Sequence, residues 1–392
     1  MSTLPYIILR SIEPAQLATA ARRAFAGPKR LEEDIEVAAE DLSKKDVEDA
    51  RRDPRTRAMA EPMPLKLIEP VSSKNVDADQ LGNHTWGVEA VGGSASPFDG
   101  SGIKVAVLDT GIDPKHPAFA GVTLDRKNFT DEQEDDLHGH GTHCAGTIFG
   151  RDVNGVRIGV ARGVTEAMIG KVLGQGGGSS AQIAQAIMWA AHGGAHVASM
   201  SLGIDFPGFV EYLVKRRDLE IMPATSMALE QYRANINLFN ELAGQIQALA
   251  SHLQPTLLVA ASGNESERPK FEIAVGPPSA ATGILSVGAL GQGPQGFTVA
   301  RFSNNQAAAA APGVDIVSSV PGGGLQSMSG TSMATPHVAG VAALWAQKLK
   351  DEGSFSIDAL QARLEASATV DQLAPGVGFD DVGTGLVHAP QS

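Results

Sequence analysis

From residue 101 onward the chain repeats one pattern: a short, unbroken apolar segment ends at a glycine or a polar pair, and helical stretches follow. "KVAVLD" stops at Thr110-Gly111, "AMIGKVL" at "GQGGGSS", "HVASMSLG" at its glycine, "TLLVAASGN" at Gly-Asn and "GILSVGAL" at a glycine. Between and after them lie "HGTHCAGTIF", "AQIAQAIMWAAHG" and "VAGVAALWAQKLK". A strand that is apolar on both faces must be covered on both. The pattern therefore predicts an α/β fold, a mainly parallel sheet with helices on both faces. In such sheets sites form at the C-terminal ends of the strands, and each polar stop falls at such an end.

Residues 1–70 read differently. "YIILRS" predicts a strand, "AQLATAARRAF" a helix, "KKDVEDARRD" a second helix and "TRAMAEPMPLKLI" an extended segment, together a small α+β unit with one glycine, Gly27. Residues 71–100, rich in Gly, Ser, Asn and Asp, read as a connector to a main domain over 101–392. Residues 205–254 interrupt the main domain. Apolar side chains at 229, 232, 236, 239, 242, 246, 249 and 253 form one stripe on a long helix, read either as packing on the sheet or as a partner-binding or lid element.

The 392 residues are 43% hydrophobic, enough for a sizeable core. The net charge of −13 carries no basic footprint for nucleic acid, and no apolar run approaches the ~20 residues that cross a bilayer. Cys144 is the single cysteine, so no intramolecular disulfide forms. "MSTLPYIILRS" has neither a basic region nor a small-residue cleavage site. A cytoplasmic protein is expected, although a secreted chain whose signal had been removed would read the same way.

Four stretches could carry chemistry. Asp109 leaves a buried strand at a Thr-Gly turn, where a carboxylate needs partners. "HGHGTHCAGTI" offers His138, His140, His143 and Cys144, which suit either a metal ion or one catalytic base. If a helix starts near His140, Cys144 shares its face and His143 points elsewhere. "SMSGTSMATPHVAG" crowds Ser327, Ser329, Thr331, Ser332 and Thr335 ahead of an apolar helix, with Pro336 in the first turn of a helix that starts near Ser332. Thr331 or Ser332 could cap that helix, or Ser332 could be a nucleophile favoured by the helix N-terminus. Asn264, in a Gly-Asn turn, either serves the turn or aims its amide at an oxyanion. "KVLGQGGGSS" imitates a dinucleotide loop, but Ser179 stands where that loop needs Gly or Ala.

"VAVLDTGID", "HGTHCAGT" and "GTSMATPHVAG" resemble the three signature blocks of the subtilase serine proteases, and "SMSLG" and "SGN" resemble two more, all in order over about residues 84–392. The resemblance implies a serine endopeptidase acting on polypeptides. Ser332 is the implied nucleophile, His140 its base, Asp109 the partner of the imidazole and Asn264 the oxyanion donor. An extended substrate would pair with the backbone around Gly176 and Ser201, Leu202 and Gly203, and Gly276 would floor the pocket before the scissile bond. Cys144 matches a free cysteine packed behind the catalytic His in one subgroup.

"DVEDARRDPRTRAMAEPMPLKLIEP" resembles the end of the family's propeptide, which implies an intramolecular inhibitor and a zymogen cut somewhere in 63–76. No cofactor is implied for catalysis. Ala118 stands where many relatives carry a calcium-ligating Asp, which argues against the strongest family calcium site; "DEQEDD", 131–136, is the other calcium candidate, set against a solvated acidic loop. The 205–254 insertion is longer than the family pattern and is a candidate partner site. The rivals are a metal-dependent hydrolase built on His138, His140, His143 and Cys144, and a non-catalytic subtilase scaffold.

Overall fold

The computed structural model describes residues 3–12, 34–76, 81–249 and 254–392. The chain opens with strands β1 (Leu4–Ile12) and β2 (Asp34–Leu42), helix α1 (Lys44–Arg52) and strand β3 (Thr56–Ala60). β1 lies between β2 and β3 and is antiparallel to both. Its two faces part company. Tyr6 and Ile8 pack with Leu42 in a small local core, whereas Ile7 and Leu9 join a core of the main domain. Ser43 caps α1 and Asp46 returns the bond, a reciprocal cap that sets where the helix starts. The helix predicted over "AQLATAARRAF" lies outside the described residues.

The predicted extended segment continues as β4 (Pro64–Leu67) and β5 (Ser72–Asn75), before a short helix α2 (Trp86–Ala90). Then come β6 (Lys104–Asp109), β7 (Thr123–Asn128), α3 (His140–Phe149), β8 (Glu166–Lys171), β9 (Gly178–Ser179) and α4 (Ser180–His192). They are followed by β10 (Val197–Met200), β11 (Leu202–Ile204), α5 (Phe206–Arg217), α6 (Ile221–Ala248), β12 (Leu257–Ala261), β13 (Ile284–Gly293) and β14 (Gly296–Val299). The chain closes with β15 (Ala309–Pro312), β16 (Ile316–Val320), β17 (Gly324–Ser329), α7 (Thr331–Asp351), α8 (Ile357–Ser367) and α9 (Phe379–Val382).

The central sheet runs β14-β13-β12-β10-β6-β8-β7, with β15 also on β13, and every pairing is parallel except β13 with β14. Alternate side chains of its strands enter two cores. Val105, Val107, Val197 and Val259 pack under α3 and α7; Ala106, Leu108, Ala198 and Ala260 pack under α4 and α6. This two-sided burial is why these strands read as unbroken apolar runs.

The insertion is a helical hairpin of α5 and α6. The C-terminal half of α6 packs on the sheet through Leu238, Phe239, Leu242 and Ile246, as one of the two readings of the stripe required. Its N-terminal half corrects the stripe. Ala224, Ala228 and Asn235 are buried there, while Leu229 stays 49% exposed and Tyr232 is half-buried. Small alanines let α5 and residue 63 approach closely, and the Asn235 amide donates to the Glu61 carbonyl at 3.0 Å. A stripe drawn through the larger apolar residues misses a face built on Ala and Asn.

One buried carboxylate sets the start of α3. Asp136 accepts from the backbone N–H of His138, Gly139 and Thr142 and from the hydroxyls of Thr110 and Thr142, at 2.7–3.0 Å. Three of these donors are backbone groups at or just before the start of a helix, where no intrahelical acceptor exists. Asp136→Ala leaves all five donors without this acceptor, so denaturant unfolding is expected to show a loss of about 3 kcal/mol; a change under ~1 kcal/mol would mean that Asp136 does not set this helix start.

Candidate active site

The sheet brings together residues far apart in sequence because its strands end at one edge. Asp109 is the last residue of β6, His140 the first of α3, Asn264 follows β12, and Ser332 is the second residue of α7. His140 Nδ1 lies 2.8 Å from Asp109 Oδ1. A carboxylate oxygen only accepts, so the proton sits on Nδ1 and leaves Nε2 as the basic atom. The backbone N–H of Thr110 donates to the same Oδ1 at 2.8 Å and fixes the carboxylate. Both side chains are buried, at 0% and 1% exposure. Burial is the largest single influence and opposes a charged imidazolium, but the charge and hydrogen bonds of Asp109 and Cys144 together raise the His140 pKa well above the ordinary value.

Cys144 lies one turn along α3, with Sγ 3.8 Å from His140 Nδ1. Burial pushes its thiol pKa up. The thiol donates to the Ser332 carbonyl at 3.4 Å, and the Ser201 hydroxyl donates to the same carbonyl at 3.2 Å. The reason lies in Pro336. It has no N–H to give the carbonyl four residues back, so Cys144 and Ser201 satisfy Ser332 instead. α7 begins at Thr331 rather than at Ser332, with Gly330 at the cap and no side-chain cap bond. The capping reading of Thr331 or Ser332 is therefore corrected, and Pro336 stands beyond the first turn.

Thr331 does something else. Its N–H and its hydroxyl both donate to Asn264 Oδ1 at 2.9 Å, which turns Asn264 Nδ2 into the cleft. There Nδ2 donates to the carbonyl of Glu69 at 2.9 Å. The Ser332 hydroxyl donates to the carbonyl of Ile68 at 2.8 Å, while His140 Nε2 is buried without a partner.

Residues 64–75 thus fill the cleft from end to end. β4 pairs with β11 on one side (Leu67 opposite Leu202, Lys66 opposite Gly203, Leu65 opposite Ile204) and with β9 on the other (Pro64 opposite Ser179, Leu65 opposite Gly178). Beyond the centre, β5 pairs antiparallel with β17, so this part of the supposed connector is a sheet strand. Two residues expected to pair with substrate stand outside these pairings with residues 64–67. Gly176 makes no pairing with the strap, and Gly178 and Ser179 do so instead. Gly177, at φ +84°, turns the chain so close to Leu65 that a side chain there would meet its carbonyl oxygen. Ser201 holds the Ser332 carbonyl rather than a strand, and the pairing runs over Leu202, Gly203 and Ile204.

Beside Ile68 opens a cavity of about 380 Å³, with Gly203 and Gly276 in its lining. Phe206, Leu229 and Tyr232, all from the insertion, line it too. The sequence reading had Gly276 but not these three. The signal for them was present in the stripe, whose Leu229 and Tyr232 face the pocket instead of the core.

The model of the subtilase family matches residues 100–385. The chain belongs to the subtilase family of serine endopeptidases. It is 34% identical over 296 residues to an intracellular serine protease of Paenibacillus polymyxa, covering 74% of this chain and 79% of that protein. It is 36% identical over 312 residues to alkaline elastase YaB of a Bacillus strain, covering 78% and 68%. Against subtilisin Savinase of Lederbergia lenta the identity is 35% over 312 residues, covering 78% and 96%. As a subtilase it acts on polypeptides, and among the described residues no helix is long and apolar enough to cross a membrane.

The four ligands of the metal-hydrolase rival do not converge. His143 Nε2 faces the carbonyls of Ile316 and Gln326 at 3.0 and 3.1 Å, and burial pushes its pKa down to about 3. His138 lies at the surface, 3.5 Å from Glu69. Asp109, His140 and Cys144 do bring ligand atoms within 4.8 Å of one another, but these atoms already serve the contacts above. The calcium candidates fit poorly. Ala118 is a wholly buried methyl, Glu134 and Asp135 pair with Arg126, and Glu132 pairs with buried Lys171.

A base works only when neutral, and if His140 serves as the base, its raised pKa sets where it becomes one. Activity is therefore expected to rise with pH, with the acid limb of kcat/KM above pH ~6.5. A limb near pH 5 would contradict the electrostatics of the Asp109–His140 pair.

Proposed function

We propose that Asp109, His140 and Ser332 form the catalytic triad, that Asn264 is the oxyanion donor, and that the chain is a zymogen held inactive by its own residues 61–75. In the reaction the Ser332 hydroxyl turns from Ile68 to His140 Nε2, gives up its proton and attacks the substrate carbonyl. Asp109 holds the ring in the required tautomer and stabilises the imidazolium. Asn264 Nδ2 and the Ser332 N–H, at the start of α7, receive the developing oxyanion. His140 then returns the proton to the leaving amine, and water releases the acyl group by the same steps.

The observation that carries the self-inhibition is the mismatch of carbonyls. The nucleophile's hydroxyl is bound to Ile68 O, whereas the oxyanion donor is bound to Glu69 O. Attack needs both on one carbonyl, so neither bond of the strap is held ready and the strap is cut only slowly. Glu61 adds hold. Its N–H donates to Gln231 of α6 at 3.1 Å, its carbonyl accepts from Asn235, and its carboxylate lies 3.9 Å from Arg217 of α5. The N-terminal region is therefore the partner proposed for this face of the insertion.

Two measurements test the proposal. Intact mass after overnight incubation of the wild-type chain is expected to show a cut beside Glu69, within residues 63–76, and Ser332→Ala is expected to stay whole; the same cut in both would refute self-processing. Asn264→Ala in the activated enzyme is expected to lower kcat by about 10²–10³ with little change in KM. A matching rise in KM instead would make Asn264 a ground-state contact.

A further inference from the structure

The strap is bound as an extended peptide, and besides its polar contacts the insertion borders it with apolar side chains at two sites. One is the pocket beside Ile68, walled by Phe206, Leu229 and Tyr232. The other lies at Met63, which is wholly buried in a socket formed by Phe209, Leu213, Ala224 and Ala228. Between them the backbone is held along its length. The N–H of Met63 donates to the Ser180 hydroxyl and its carbonyl accepts from the Ser180 N–H, both at 2.9 Å, and the carbonyl of Pro64 accepts from the Asp205 N–H at 2.9 Å. The side chains between have other neighbours. Leu65 and Leu67 enter the core beneath the sheet, and Lys66 turns out to Asp205 and Glu265 at 3.6 and 3.2 Å. At ~3.3 Å per residue, any strand that fills the pocket carries its side chain from five positions upstream to the socket, roughly 17 Å away.

We propose that the α5–α6 hairpin selects substrate by adding a distal apolar subsite, the Phe209–Leu213–Ala224–Ala228 socket, for the side chain five residues upstream of the one in the pocket. This rests on the endopeptidase mechanism above. The substrate class is an extended polypeptide with an unbranched apolar side chain, such as Met, at that distance. The alanines on this half of α6 leave the room such a side chain needs. When the strap departs the socket faces solvent, and burying an apolar side chain there favours binding of the matching substrate.

The test uses the full chain, folded intact, then cut in the strap and separated from its N-terminal part. Its substrates are the coumarin amides of acetyl-Met-Pro-Leu-Lys-Leu-Ile, the same peptide with Gly first, and acetyl-Leu-Lys-Leu-Ile as the common reference that does not reach the socket. The Met peptide is expected to exceed the Gly peptide in kcat/KM by about ten-fold. Ala228→Leu or, as a second variant, Ala224→Leu fills the socket and is expected to bring that ratio to within about two-fold. Met and Gly peptides within about two-fold of each other on the unaltered enzyme would overturn the subsite. If even the tetrapeptide is untouched and a fluorophosphonate fails to label Ser332, the peptidase mechanism fails instead. Anisotropy of the fluorescein-labelled hexapeptides on the same protein then decides the subsite: tighter binding of the Met peptide supports it, and equal binding overturns it.

Discussion

Parallel strands buried on both faces must all end at the same edge of their sheet, and the rest of this protein depends on that. The edge is where backbone leaves the two cores, so polar side chains can stand there with partners. Asp109 ends a strand of this kind, Asn264 and the turn at Gly177 follow two others, and the helices returning across the sheet begin at His140 and at Thr331, one residue before Ser332. The buried start of each helix is then finished locally. Asp136 gathers the free N–H groups ahead of α3, and Asn264 takes those of Thr331 at the start of α7. Residues that finish a helix thereby also orient the groups proposed for catalysis.

The same logic of unmet backbone explains the second layer of the site. Pro336 withholds the hydrogen bond that the Ser332 carbonyl would otherwise receive. Cys144 and Ser201 provide it from α3 and from the strand ending of β10, so three segments meet behind the serine. The strap answers a larger version of this need. β9 and β11 present open edges across the cleft, and β4 closes both. Such edges can accept an extended chain, and on the proposed mechanism the strap and a substrate would use one set of hydrogen bonds.

Much of this was legible in the sequence. Unbroken apolar runs announced the parallel sheet, and the helix predicted over "HGTHCAGTIF" coincides with α3. The one-turn spacing of His140 and Cys144 placed both on one side, with His143 turned to Ile316. What escaped were features that depend on approach distance. The large apolar residues of α6 form one stripe, whereas the packed face of its N-terminal half uses Ala224, Ala228 and an Asn amide. In the run of adjacent glycines, the left-handed backbone of Gly177 decides which of them meets the strap.

By itself the sequence determined the layer order of the fold and the family, because strand burial and the signature blocks are written in residue type and order. It also determined which side chains could serve as nucleophile, base and oxyanion donor, since few groups have that chemistry. Only the tertiary structure decided that Ser332 faces the carbonyl of Ile68 while Asn264 faces that of Glu69, and that the insertion walls the pocket and holds Met63. Those outcomes rest on the register between segments distant in the chain. Register is set by how closely backbones and side chains can approach in three dimensions, which no single segment encodes alone.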